Sequence, residues 1–336
     1  MVGGQCNEMH INKHCAFYRC RMEPIMKIIN FCKLLILLVA FFAGTGFAQS
    51  NKVLIVNSEK TVYRYETIAT EFKKVLQQNA YPSIEFNLDD HANADADLKL
   101  LIQQENPALI YCIGTQAYSL VRNVAPNKKL LFSAAINWRR LDVGGGAYGV
   151  ANELSSAQEL SLLRYFFPTI KTIGLLYNDS FSREYVESIK KDALALGINV
   201  INRSINDTQE ISEALNELLP KIDMFWIISD PVVLSNKESV RQIFQATQQQ
   251  QKPVYAYSDV YIEQGAVLAI SADIATIGRQ SAGLAMMVDQ GKVPAGTVQS
   301  PAGSTVTLNK CALDALKLQF NQDALDSVNK IVGCEQ

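Results

Sequence analysis

Thr115 and Gln116 follow the apolar run Leu109-Ile110-Tyr111-Cys112-Ile113 and open a stretch with helical spacing. Backbone N–H groups at such a strand-to-helix turn point at an anion, because the first turn of a helix leaves its donors unpaired. The same two residues serve equally well as a plain helix entry, and the pattern supports both readings. Asp230 stands after the run Met224–Ile228 in Ser229-Asp230-Pro231, and Asp259 follows Tyr255-Ala256-Tyr257-Ser258. Either carboxylate can begin a helix or accept a ligand ammonium at the end of a strand. A turn that takes a carboxylate and an acid that takes an ammonium together suit a small zwitterion.

The residue types that break bonds are scarce. The only histidines are His10, His14 and His91, and the first two precede a targeting segment. One remaining histidine excludes an H-E-x-x-H zinc site and argues against a Ser-His-Asp triad. Gly144, Gly146 and Gly149 fit G-x-G-x-x-G, but a dinucleotide loop follows the first strand and opens a helix. This one comes late and leads into Tyr148-Gly149-Val150, which reads as a strand. No phosphate-binding G-x-x-x-x-G-K-[ST] is present, and no cofactor or metal is expected. Lys plus Arg is 31 against 33 for Asp plus Glu, a net charge of -2 with no basic excess for nucleic acid.

From Met26 the chain reads as a secretory signal. Lys27 and Lys33 give a positive start, Leu34 to Ala43 is an unbroken apolar run, and Gly46 and Ala48 are small residues before a cut after Ala48. The run is too short for a membrane-spanning helix. Residues 26–48 are therefore expected to be removed, and residues 1–25 read as an over-extended start. The protein is expected to be periplasmic. Three cysteines then remain. Cys112, inside an apolar run, is expected to be a buried thiol. Cys311 and Cys334 can pair in an oxidising compartment, but sequence alone does not fix pairing.

The elements that must position Thr115, Asp230 and Asp259 alternate regularly. Strands are predicted at 52–56, 83–88, 109–113, 130–134 and 148–150, with helices at 65–78, 94–104 and from 114 onward. The rhythm restarts with a helix at 157–165. Strands follow at 172–176, 199–201, 224–228, 254–256 and 267–270, with helices at 182–196, 208–218, 236–249 and 274–289. Two runs of βαβ units mean two similar α/β lobes, each a doubly wound parallel sheet. Trp226 falls inside a strand and is expected in the core. Trp138, just after the fourth strand, can either stack on a flat ligand or cover a core edge.

Several stretches carry a family resemblance. Pro168-Thr169-Ile170-Lys171-Thr172-Ile173-Gly174-Leu175-Leu176-Tyr177-Asn178 is one. Lys252-Pro253-Val254, Gly265-Ala266-Val267, and Asp273 with Gly278-Arg279-Gln280 are others, as are Gly291-Lys292-x-Pro294 and Leu308-Asn309-Lys310. Together these resemble the TrpX-like ABC transporter substrate-binding proteins, which have the type I periplasmic binding fold. The resemblance implies two lobes joined by three hinge strands, and a ligand that is an aromatic amino acid or a similar small molecule. It places the crossings near Gly149–Asn152, Ser271–Asp273 and Lys292–Thr297. Lobe 1 is then 51–150 plus 272–292, and lobe 2 is 151–271 plus 293–336.

The resemblance also implies site residues. Thr115 and Gln116 match a turn that holds a ligand carboxylate; Asn178, Ser180 and Ser182 match a Tyr-Asn-x-Ser segment; Asp230 matches the acid of a Thr-Asp-Asn turn, here followed by Pro231. Asn137 stands where the family has an Asp-Pro, and Ser58-Glu59-Lys60-Thr61 replaces a Ser-Leu-Asp, so Ser58 and Thr61 join the candidates. The expected protein is a non-enzymatic binding protein that delivers its ligand to the membrane permease of an ABC transporter. The other reading is a ligand-sensing module that signals to a membrane receptor.

Overall fold

β1 (Val53–Asn57) is a run of four apolar residues closed by Asn57 and is buried along its whole length. Its alternate side chains feed two different cores. Val53 and Ile55 pack with Ile68, Phe72 and Leu76 of α1 (Tyr63–Gln78). Leu54 and Val56 pack with Leu98 and Ile102 of α2 (Ala94–Glu105) and with Val121 of α3 (Thr115–Val124). A strand covered on both faces is what an uninterrupted apolar run dictates in a parallel sheet. The computed structural model describes residues 52–135, 138–141 and 146–334. The expected signal segment, the residues before it, Asn137 and Gly144 lie outside the described residues.

The first sheet has the order β2-β1-β3-β4-β5-β11 and is parallel throughout. Its further strands are β2 (Ser83–Asn87), β3 (Leu109–Ile113), β4 (Leu130–Ser133), β5 (Ala147–Val150) and β11 (Val298–Gln299). The second sheet contains β6 (Thr172–Tyr177), β7 (Asn199–Ser204), β8 (Met224–Ile227), β9 (Val254–Ala256), β10 (Leu268–Ala272), β12 (Ser304–Asn309) and β13 (Lys330–Val332). Its order is β7-β6-β8-β9-β10-β12-β13, with β12 antiparallel to β10. The first five strands of each sheet repeat one order, as the two-lobe expectation requires. α4 (Ser156–Phe166) and α5 (Asp179–Ala195) cover one face of the second sheet, and α6 (Ile211–Leu218) and α7 (Lys237–Gln249) the other. Trp226 is fully buried, as expected, as is the thiol of Cys112. Cys311, in α9 (Lys310–Leu316), is bonded to Cys334, which settles the open pairing.

The chain crosses between the sheets three times within one compact unit, Asn51–Gln336. It leaves the first sheet after β5. It returns after β10 into α8 (Ile274–Asp289), which packs on α1. A Cβ on Gly278 would sit 2.6 Å from Ile68 O, so glycine lets these two helices approach. Gly149 is explained in the same way, because its Cβ would meet the Phe132 ring at 2.3 Å.

The third crossing corrects the sequence reading. Residues 293 onward were expected in the second lobe, yet Val298 pairs with Gly149 and Gln299 with Val150. The crossing therefore falls at 300–303, because a two-residue edge strand carries no period to read. The crossings are tied together. Ala151 N donates to Gln299 O at 2.8 Å, and Asp273 N donates to Gly303 O at 3.0 Å. Gln280 of α8 donates to Ser300 O and accepts from Ala302 N, each at 2.9 Å.

Candidate functional site

The carboxyl end of the first sheet is built around Gly114, which has a φ of 90°. Gly114 has no side chain to cap α3, so Ser58 does this from the end of β1. Its hydroxyl donates to Ile113 O at 2.8 Å and accepts Ala117 N–H at 3.0 Å. A Cβ on Gly114 would lie 2.5 Å from Ser58 Oγ. Ser58, one of the candidate ligand residues, is thus buried and positions the turn. Beyond it, Thr115 is half-buried and Gln116 is exposed at the mouth of α3. Thr61 is exposed in the loop after β1, where its hydroxyl donates to Glu59 Oε1 at 3.0 Å.

At the carboxyl end of the second sheet, Asp230 is 1% exposed and joins three segments. Oδ2 accepts from Asn178 N at 2.7 Å and Ser182 Oγ at 2.6 Å; Oδ1 accepts from Val232 N at 2.9 Å and Val233 N at 3.0 Å. Four donors fill the lone pairs of a carboxylate. The ammonium role considered for Asp230 therefore gives way to a structural one: it latches the β6–α5 turn to the loop after β8. Ser182 is drawn into the same latch. Asn178 is the N-cap of α5, accepting from Ser180 N at 3.0 Å while its amide donates to Ile205 O at 2.8 Å. Ser180 is exposed, and so is Asp259, which follows β9 and donates its own N–H to Ser271 Oγ at 3.1 Å.

The two ends meet through residues that the sequence reading did not single out. Arg139, in the loop after β4, places its guanidinium 4.8 Å from the Trp138 ring centroid and 5.1 Å from that of Tyr185 on α5. Its Nη1 is 3.9 Å from Glu153 Oε2. Glu153 lies on the first crossing, is 6% exposed, and its Oε2 has no hydrogen-bond donor. Burial holds this carboxyl above the ordinary range, with Arg139, its own backbone N–H, Arg64 of α1 and the Ser229 hydroxyl pulling it back. Arg139, Glu153, Phe181, Ser182, Tyr185 and Ser229 enclose a space of about 10 Å³, room for a single water. Trp138 covers a core edge, packing on Phe132 at 6.2 Å, and also lies under the arginine. The available signals were an arginine beside that tryptophan and an acid within the first crossing.

Behind this layer lies Glu159 of α4, 2% exposed. Tyr185 donates its hydroxyl to Glu159 Oε2 at 2.6 Å. Burial pushes the Glu159 carboxyl up to about 8, against the downward pull of that hydrogen bond. Among the described residues, no group of three His, Cys, Asp or Glu side chains is placed to hold a metal.

Residues 64–332 match the family described as ABC transporter substrate binding protein. The chain belongs to that family. The match takes in nearly all of both sheets and all three crossings. A curated relative, the tyrosine-binding protein of Clostridioides difficile strain R20291, is 23% identical over 267 residues, covering 74% of this chain and 76% of its own. Two solved structures share the fold of this substrate-binding protein. One is the ligand-free, open structure of a substrate-binding protein with adhesive properties from Clostridium difficile, with a TM-score of 0.64 and 20% identity. It covers 85% of this chain and all of its own. The other is an ABC domain from Streptococcus pneumonia in complex with L-Trp, with a TM-score of 0.56 and 20% identity, covering 84% of this chain and all of its own. These matches confirm the two-lobe fold and the resemblance read from the sequence. The protein is a substrate-binding protein and not an enzyme.

Proposed function

We propose that this protein is a periplasmic solute-binding protein of an ABC-type importer that closes its two lobes on a small amino-acid-like ligand. The observation that carries this reading is the meeting of two sheet ends at Arg139, Glu153 and Tyr185, beside the first crossing. Open α/β sheets bind ligands outside the carboxyl ends of their strands, and here two such ends share one polar, aromatic-lined site. Gln116, exposed at the start of α3, adds a polar side chain at the carboxyl end of the first sheet. The names of the relatives, one tyrosine-binding and one solved with L-Trp, favour an aromatic amino acid.

Closure follows from the energetics of such a site. A ligand between two lobes gains its second set of contacts only in the closed form, so it shifts the population toward closure. Export through the Met26–Ala48 signal would bring the protein to a membrane permease, its expected partner.

Native mass spectrometry of protein purified without refolding is the direct test, since a retained ligand can be weighed. Calorimetry with L-tyrosine and L-tryptophan, paired with small-angle scattering, tests affinity and closure. Saturable binding with compaction is the expected result. A protein that carries no small molecule, binds neither amino acid and never compacts is not what we propose.

A further inference from the structure

Glu153 raises an accounting problem. Its side chain is 4% exposed and Oε2 meets no donor, although an unpaired buried carboxylate oxygen is among the costliest groups a fold can hold. Arg139, the cation that acts on it most strongly, stops at 3.9 Å, beyond hydrogen-bond reach. Arg139 instead places its guanidinium over the rings of both Trp138 and Tyr185, 4.8 and 5.1 Å from their centroids, and its side chain is 29% exposed. Two rings around a flat cation make a slot that would also take a flat ring. With Arg139 in the slot, the space left is about 10 Å³, too small for any organic ligand.

We infer that Glu153 accepts the ligand's ammonium, and that Arg139 holds its place in the empty cleft and turns to the ligand's carboxylate on binding. The inference rests on the amino-acid reading above and names the chemistry of that site. A zwitterion inserted between Glu153 and Arg139 exchanges one stretched ion pair for two hydrogen-bonded ones, and leaves the net charge of the site unchanged. The vacated slot between Trp138 and Tyr185 then takes the side chain, which selects α-amino acids with aromatic side chains. An acid lacking the amine leaves Glu153 unpaired, and an amine lacking the acid leaves Arg139 unpaired. Either mismatch is penalised, because a site built for a polar group rejects the analogue without it.

Calorimetry on the full mature protein tests this with L-tyrosine, its deaminated analogue 3-(4-hydroxyphenyl)propionate and its decarboxylated analogue tyramine. L-tyrosine should bind at least about tenfold more tightly than either analogue. Glu153→Gln should weaken L-tyrosine about tenfold to a hundredfold and leave the deaminated analogue nearly unchanged, erasing the preference for the amine. The comparison of analogues on the wild-type protein needs no variant to fold. Equal affinity for L-tyrosine and the deaminated acid overturns the assignment of Glu153. So does a folded Glu153→Gln variant with wild-type selectivity, and in both cases the amino-acid reading stands. If the wild-type protein binds neither L-tyrosine nor L-tryptophan, the amino-acid reading falls and this assignment falls with it.

Discussion

Replacing Glu159 with glutamine should change how stability depends on pH more than it changes stability itself. The carboxyl lies beneath Tyr185, whose hydroxyl it accepts, and burial raises it from an ordinary 4.5 to about 8. The folded state therefore keeps a proton that the unfolded chain has already lost. Between about 4.5 and 8 the folded form binds more protons, so this group lowers stability as pH rises. Its contribution is fully present below 4.5 and is lost as pH climbs to about 8. The slope approaches about 1.4 kcal/mol per pH unit. Glutamine does not titrate and still offers Tyr185 an acceptor oxygen. Between pH 5.5 and 7.5 the wild-type protein should thus lose about 3 kcal/mol relative to Glu159→Gln. For a chain of this size that corresponds to a change on the order of 5 °C in the gap between their melting temperatures. Thermal melts of both proteins across that range provide the assay. Glu153, present in both proteins, pushes the Glu159 carboxyl further up and so adds to the effect. Parallel curves would mean that Glu159 is ionised in the fold, and the reasoning from burial would be wrong.

Asp230→Ala should destabilise the protein by about 3–5 kcal/mol, because it strands four donors around a buried site; calorimetry on the folded fraction should show ligand affinity within about threefold of wild type. Gly114→Ala should lose about 2 kcal/mol or more in urea unfolding, since it combines a φ of 90° with a contact that displaces the Ser58 cap of α3. Reducing the Cys311–Cys334 bond, which spans 23 residues, should lower stability by about 3 kcal/mol, read as a lower melting temperature in reductant.

Most of the fold was legible because its strands are apolar runs and its helices have a clear apolar face. β3 reads as buried from Leu109 to Ile113, and Gly114 and Thr115 announce the helix that follows. The legible part ends where elements become short. β11 has two residues, β13 has three, and β12 is polar at four of its six positions, so the chain after 292 gave no period to follow. The site was half legible for a different reason. Thr115, Gln116, Asn178, Ser182 and Asp230 do stand at strand ends, where a ligand would be sought. Sequence, however, shows only which groups are polar. It does not show which of them already have partners.

Asp230 and Glu153 make that distinction concrete. Both are acids just beyond strands that end at the cleft, and both are almost fully buried. Asp230 has four protein donors and so has little capacity left for a ligand. Glu153 has an oxygen with none, a cation held just out of reach, and two aromatic rings beside it. A satisfied buried carboxylate belongs to the scaffold, because any newcomer must break bonds worth as much as those it makes. An unsatisfied one marks where the fold leaves a partner to arrive from outside. Counting donors around each buried acid therefore moves the proposed centre of the site from the loop after β8 to the first crossing, where Glu153 stands beside Arg139 on the chain that joins the lobes.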